Sequence, residues 1–122
     1  MTYKVLVVDD EVVMRDTARA ILEECGYDVI TADNGESGVE IFRERHADIS
    51  AVVMDMAMPV MSGIVAYREM IKIDAGVGVL IASGFRQDKR VGEVISMGVS
   101  GFIEKPYTLE KLGMAVKGII EG

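Results

Sequence analysis

The stretch Val5-Leu6-Val7-Val8-Asp9-Asp10-Glu11 decides the fold. Its four consecutive apolar residues suit a strand buried on both faces, the kind that occurs in parallel sheets covered by helices. The run then breaks into three acids, which is wrong for a secretory leader and instead marks a charged sheet edge. Two more runs, residues 51–54 and 79–82, are apolar throughout and also end in polar groups: Asp55 after the first, Ser83 and Gly84 after the second. Residues 27–31 and 100–104 mix polar and apolar side chains and read as strands at the sheet edges.

Helical patterns fill the intervals. Met14, Ala18, Ile21, Leu22 and Cys25 recur at helical spacing, and Gly26 stops that helix. This spacing puts Cys25 on the inward face, as a buried structural thiol. Asn34 caps a second helix that buries Ile41 and Phe42. Ile64, Tyr67, Met70 and Ile71 mark a third. A fourth, over about residues 87–97, is weakened by Gly92. The fifth starts at Thr108 as N-cap, with Glu110 in its first turn, and buries Leu109, Leu112, Val116 and Ile119. Alternating strands and helices imply parallel strands with right-handed crossovers. With the apolar runs central, the expectation is a flavodoxin-like (βα)5 three-layer sandwich of strand order 2-1-3-4-5. Such sheets bind ligands beyond the carboxyl ends of their strands, where the order reverses.

Composition narrows the function. The 122 residues suit one domain spanning 1–122, with no linker tract, charge block or repeat. Thirteen basic against 20 acidic residues give a net charge of −7, which opposes direct nucleic-acid binding. A single cysteine fits a reducing compartment, and no apolar run approaches the ~20 residues of a membrane span. These features predict a cytoplasmic domain without membrane attachment. Glu121 and Gly122 follow the last patterned residue, Ile120, as they would in a piece cut from a longer protein.

The strand ends carry the chemistry. Asp9 and Asp10 follow the first strand, Asp55 ends the third, Ser83 follows the fourth and Lys105-Pro106 follows the fifth. Two unit charges ~4 Å apart repel by roughly 4 kcal/mol at an effective dielectric of about 20. Three carboxylates at one edge therefore call for a cation, and all-oxygen donors select a hard ion such as Mg²⁺. Lys105 offers a point positive charge and Ser83 a hydroxyl to phosphoryl oxygens, with Asp55 placed as nucleophile.

Asp9-Asp10, Asp55, Ser83 and Lys105-Pro106, in this order, resemble the response-regulator receiver domain of two-component signalling. The stretch Asp55-Met56-Ala57-Met58-Pro59 with Met61 and Gly63 is similar to the family's loop after its acceptor aspartate, and the resemblance runs from Tyr3 to about Ile120. It implies a phosphoacceptor at Asp55 in a signalling domain, not a classical enzyme, that catalyses its own phosphorylation and dephosphorylation. It also implies Mg²⁺ held by Asp10, Asp55 and the Ala57 carbonyl, with Asp9 acting through water. Ser83 and Lys105 would hold the phosphoryl group, Ser83 and Phe102 would form the switch, and the Lys105–Pro106 bond would be cis. The donor would be a phosphohistidine on a histidine kinase or histidine phosphotransfer domain. The segments around Ser83-Gly84-Phe85 and residues 101–107 are similar to receivers of hybrid histidine kinases. Apolar Ala57 and Phe85 beside the path of attacking water predict a long-lived phosphoaspartate.

Plainer readings stand beside these. An acidic turn often caps a helix, a Ser-Gly pair often makes an ordinary turn, and Phe102 alone would be core. His46 reads as a solvated loop residue, and Arg86, Asp88, Lys89 and Arg90 as a solvated helix face. The nine methionines read as core filler, with an exposed partner patch at Met56, Met58 and Met61 as the alternative. A flavodoxin-type module would need a hydroxyl-rich phosphate loop after the first strand, and a dinucleotide site G-x-G-x-x-G; neither is present. An aspartate-nucleophile phosphatase would carry a second acid two residues past Asp55, where this chain has Ala57.

Overall fold

A computed structural model describes residues 2–84 and 89–122. Expectations placed on Phe85, Arg86, Gln87 and Asp88, and on the side chains of Lys89 and Arg90, lie outside the described residues. Five strands, β1 (Lys4–Val8), β2 (Asp28–Ala32), β3 (Ile49–Asp55), β4 (Val79–Ser83) and β5 (Gly101–Glu104), alternate with α1 (Val12–Glu24), α2 (Gly35–Arg45), α3 (Gly63–Ile73), α4 (Lys89–Ser96) and α5 (Leu109–Glu121). All pairings are parallel, in the order β2-β1-β3-β4-β5. The sheet is the flavodoxin-like one expected.

Alternation along the buried strands feeds two cores. Leu6, Val8, Val52, Met54 and Ile81 pack with Phe42, Ile64, Tyr67 and Met70 on one face. Val5, Val7, Val53, Leu80 and Ile103 pack with Leu22, Leu112 and Val116 on the other. Both faces of β1, β3 and β4 are thus dry, which is why these strands have no polar alternation. The mixed strands β2 and β5 are the edges. Asn34 accepts from the Ser37 amide and Thr108 from the Lys111 amide, so both expected caps form. Gly26, at φ +93°, ends α1 in the left-handed region.

Four readings change. Cys25 is exposed, because it is the C-cap of α1 and the helix no longer holds its side chain inward there. Leu109 is half exposed, since the first residue of α5 points off the end of the core-facing stripe. Met56 and Met58 are buried, as core filler should be, whereas Met114 on α5 is 73% exposed and is not core. His46 caps the end of α2 and its ring lies 5.8 Å from that of Phe42, so it is partly packed and not a free loop residue. In addition, β3 starts earlier than its apolar run, at Ile49, and α5 continues through Glu121.

Candidate functional site at the carboxyl edge of the sheet

The sheet delivers its polar groups to one edge because each strand ends where its apolar run ends. Asp9 directly follows β1, Asp55 is the last residue of β3, Ser83 the last of β4, and Lys105 directly follows β5. Register fixes their depth. Val8 pairs with Met54 and Asp55 with Ala82. Beyond the pairing of Ser83 with Glu104, the Lys105 amide donates to the Ser83 carbonyl at 2.9 Å.

Asp9 and Asp55 are 2% and 4% exposed, while Asp10 is exposed. Each of the three offers a carboxylate oxygen, and these oxygens lie within 4.8 Å of one another. The Lys105 ammonium reaches in between them, 2.8 Å from Asp9 Oδ2, 3.0 Å from Asp55 Oδ1 and 3.6 Å from Glu11 Oε1. With Glu11 the three aspartates set four carboxylates against one ammonium, an excess of negative charge.

The electrostatics follow from burial. Asp55 is pushed up from 3.8 to about 6, chiefly by desolvation and further by the Asp9 charge, with Lys105 pulling the other way. Burial opposes the charge on Lys105, but the hydrogen bonds and charges of Asp9 and Asp55 outweigh it, and the ammonium titrates above its ordinary value. Tyr107, buried beyond the cis Lys105–Pro106 bond, is held protonated by burial and by the field of Asp9, Asp55 and Glu11.

A hard divalent cation fits this donor set. All three side-chain donors are oxygens, they carry excess negative charge, and Asp9 Oδ2 is buried with no hydrogen bond beyond its ion pair with Lys105. Ala57 is exposed two residues past Asp55 on the same edge, Ser83 is buried at the end of β4, and Phe102 is half buried against the core of the α2/α3 face.

The model of the response regulator receiver domain family matches residues 5–117. The chain belongs to that family. This receiver is 40% identical to the chemotaxis protein CheY of Thermotoga maritima over 108 residues, 88% of either chain. It is 35% identical to CheY of Bacillus subtilis over 117 residues, 95% of this chain and 96% of that one. A solved receiver domain from Clostridium thermocellum superposes with a TM-score of 0.92 at 32% identity, covering 98% of this chain and 94% of the other. No helix among the described residues is long and apolar enough to cross a membrane.

Two features of this receiver escaped the sequence reading. Gly63 heads α3 where the Asp55 carbonyl oxygen leaves no room for a Cβ, and its amide donates to the Met56 carbonyl at 2.9 Å. The loop after Asp55 is therefore closed at its base. At its tip the Met61 amide donates to the Pro59 carbonyl at 2.7 Å, around Val60 at φ +68°. A valine among loop residues gives no signal that its backbone will be left-handed.

Proposed function

We propose that this receiver accepts a phosphoryl group from a phosphohistidine on a histidine kinase or histidine phosphotransfer domain, onto Asp55, in a Mg²⁺-dependent reaction. The observation that carries this reading is the Lys105 ammonium set between Asp9 and Asp55, beside three carboxylates close enough to share a cation. Domain 1–122 acts as one unit, alone or as part of a larger regulator or hybrid kinase, on the cytoplasmic side.

An Asp55 carboxylate oxygen attacks phosphorus, the P–N bond of the phosphoimidazole breaks, and the imidazole leaves with the electron pair and takes up a proton from water. Asp10, Asp55 and the Ala57 carbonyl would ligate Mg²⁺, with Asp9 acting through water, and a bound ion would neutralise charge on the transferring group. Lys105 holds one phosphoryl oxygen and Ser83 another. With Asp55 near 6, its carboxylate is ionised and nucleophilic at neutral pH. Once Asp55 carries the phosphoryl group as an acyl phosphate, Lys105 loses one of its two buried carboxylate partners and Ser83 is drawn to the new group. These changes pass through β4 and β5, and Phe102 on β5 would report them by a change of burial. Hydrolysis by water restores Asp55, slowly, since Ala57 offers no side-chain group to orient that water.

Incubation with acetyl phosphate and MgCl₂, followed by intact mass, tests the reading. A gain of one phosphoryl group is expected, absent in Asp55→Ala and absent with chelator. Labelling that persists in Asp55→Ala would refute it.

A further inference from the structure

Asp9 is held from four sides. Its amide donates to the Ala32 carbonyl at the end of β2, and its Oδ1 accepts from the Glu11 amide at 2.9 Å. Its Oδ2 meets Lys105 from the end of β5. Its main-chain carbonyl accepts from Arg15 Nη1 at 2.9 Å. Arg15 is the one described side chain of α1 that reaches back to this turn.

The position of Arg15 is opposed by the helix dipole and favoured by the acids of the turn before α1. It lies one turn into α1, where the helix dipole favours anions, yet the first turn of α1 holds no acid and the N-cap Glu11 makes no side-chain cap. Its charge suits the acidic turn of Asp9, Asp10 and Glu11 in the metal-free protein but would compete with a bound cation, so charge alone gives it no role in holding one. What the residue supplies in return is one directed hydrogen bond to the backbone between β1 and α1, the segment that carries Asp9 and Asp10.

We propose that Arg15 is a positioning residue for the cation site: its guanidinium clamps the Asp9 carbonyl and so aims the Asp9 and Asp10 carboxylates. This rests on the function proposed above. It makes a prediction of sign. If Arg15 acted through charge alone, removing it would tighten Mg²⁺ binding. A clamp lost loosens the turn and weakens binding, by about 10-fold on the scale seen for residues that orient metal ligands.

The test is calorimetric titration of wild type, Arg15→Met and Arg15→Lys with MgCl₂ alone, with unfolding midpoints of the metal-free proteins measured alongside. Arg15→Met keeps the aliphatic stem and drops both donor and charge. The expected result is about 10-fold weaker Mg²⁺ binding in Arg15→Met at a nearly unchanged midpoint, with partial recovery in Arg15→Lys. Equal or tighter binding in Arg15→Met would overturn the inference. The ¹⁵N–¹H resonance of Glu11, whose amide donates to Asp9 Oδ1, adds a metal-free readout that serves also if Arg15→Met folds poorly. It should move in Arg15→Lys, and a resonance that stays in place refutes the clamp. A wild type that binds no Mg²⁺ while the Glu11 amide still responds would sink the proposed function and leave the clamp on the turn intact.

Discussion

The ammonium of Lys105 stands 3.0 Å from Asp55 Oδ1 across the sheet edge, and both side chains are nearly closed to solvent. Removing the ammonium leaves the buried Asp9 and Asp55 carboxylates without a partner, at a cost of about 3 kcal/mol, whereas without the Asp55 charge Lys105 would still be paired with Asp9. Lys105→Met should therefore lower the metal-free stability by about 2–4 kcal/mol at pH 8. At pH 5 the loss should shrink, because Asp55 can take up a proton in place of its lost partner. Urea unfolding at the two pH values measures both. An equal loss at each would mean that Lys105 contributes packing and not charge.

Asp55 itself destabilises the metal-free fold. Its folded value of about 6 exceeds the unfolded 3.8, so the folded state holds the proton more tightly. Between pH 4 and 6 the native form binds more protons than the unfolded one, and stability falls as pH rises through that window. The shift corresponds to about 2–3 kcal/mol. Asp55→Asn should recover a comparable amount at pH 8 in the absence of Mg²⁺ and flatten this part of the pH profile. Thermal midpoints taken between pH 4 and 8 in chelator decide it, and an Asp55→Asn protein no more stable than wild type would contradict the assignment.

The site was legible in the sequence to the extent that strand ends fix it. Apolar runs that stop at Asp9, Asp55 and Ser83 announce both the strands and their polar exits, because a parallel strand buried on both faces tolerates no polar residue until it leaves the sheet. Lys105 was legible in the same way from the end of β5. Element ends were read less well. Cys25 and Leu109 follow the helical period but sit where a helix has too few neighbours to bury them. The contacts of Arg15, Gly63 and Val60 were invisible, since each depends on where the chain returns in space and not on any local pattern.

Gly63 illustrates such a return. A Cβ built there falls within contact of the Asp55 carbonyl oxygen and 2.9 Å from the Met56 Cα, so both obstacles are backbone. Neither can rotate away as a side chain would. Gly63→Ala should cost about 2 kcal/mol or more and displace the Asp55 main chain. Labelling by acetyl phosphate, under conditions where the variant remains folded, should slow as well. Denaturant unfolding and the initial labelling rate report the two effects separately. A fully stable, fully reactive Gly63→Ala protein would show that the close approach relaxes without consequence.

Val60 offers the opposite experiment. The hydrogen bond from Met61 to Pro59 across a residue at φ +68° makes a tight three-residue turn of the rare, strained kind. A β-branched side chain is a poor occupant of that region. Burial does not compensate, since Val60 is 95% exposed. The strain is therefore held by the closure of the loop at Gly63 and by the packing of Met61. Asparagine accepts left-handed backbone more readily, so Val60→Asn should stabilise the protein by about 1 kcal/mol, seen as a higher urea midpoint at unchanged slope. Val60→Ala keeps a Cβ without the branch or the polar side chain and should gain less. If alanine raises the midpoint as much as asparagine, the β-branch accounts for the whole strain and the left-handed preference of asparagine adds nothing; if neither raises it, the turn holds no strain.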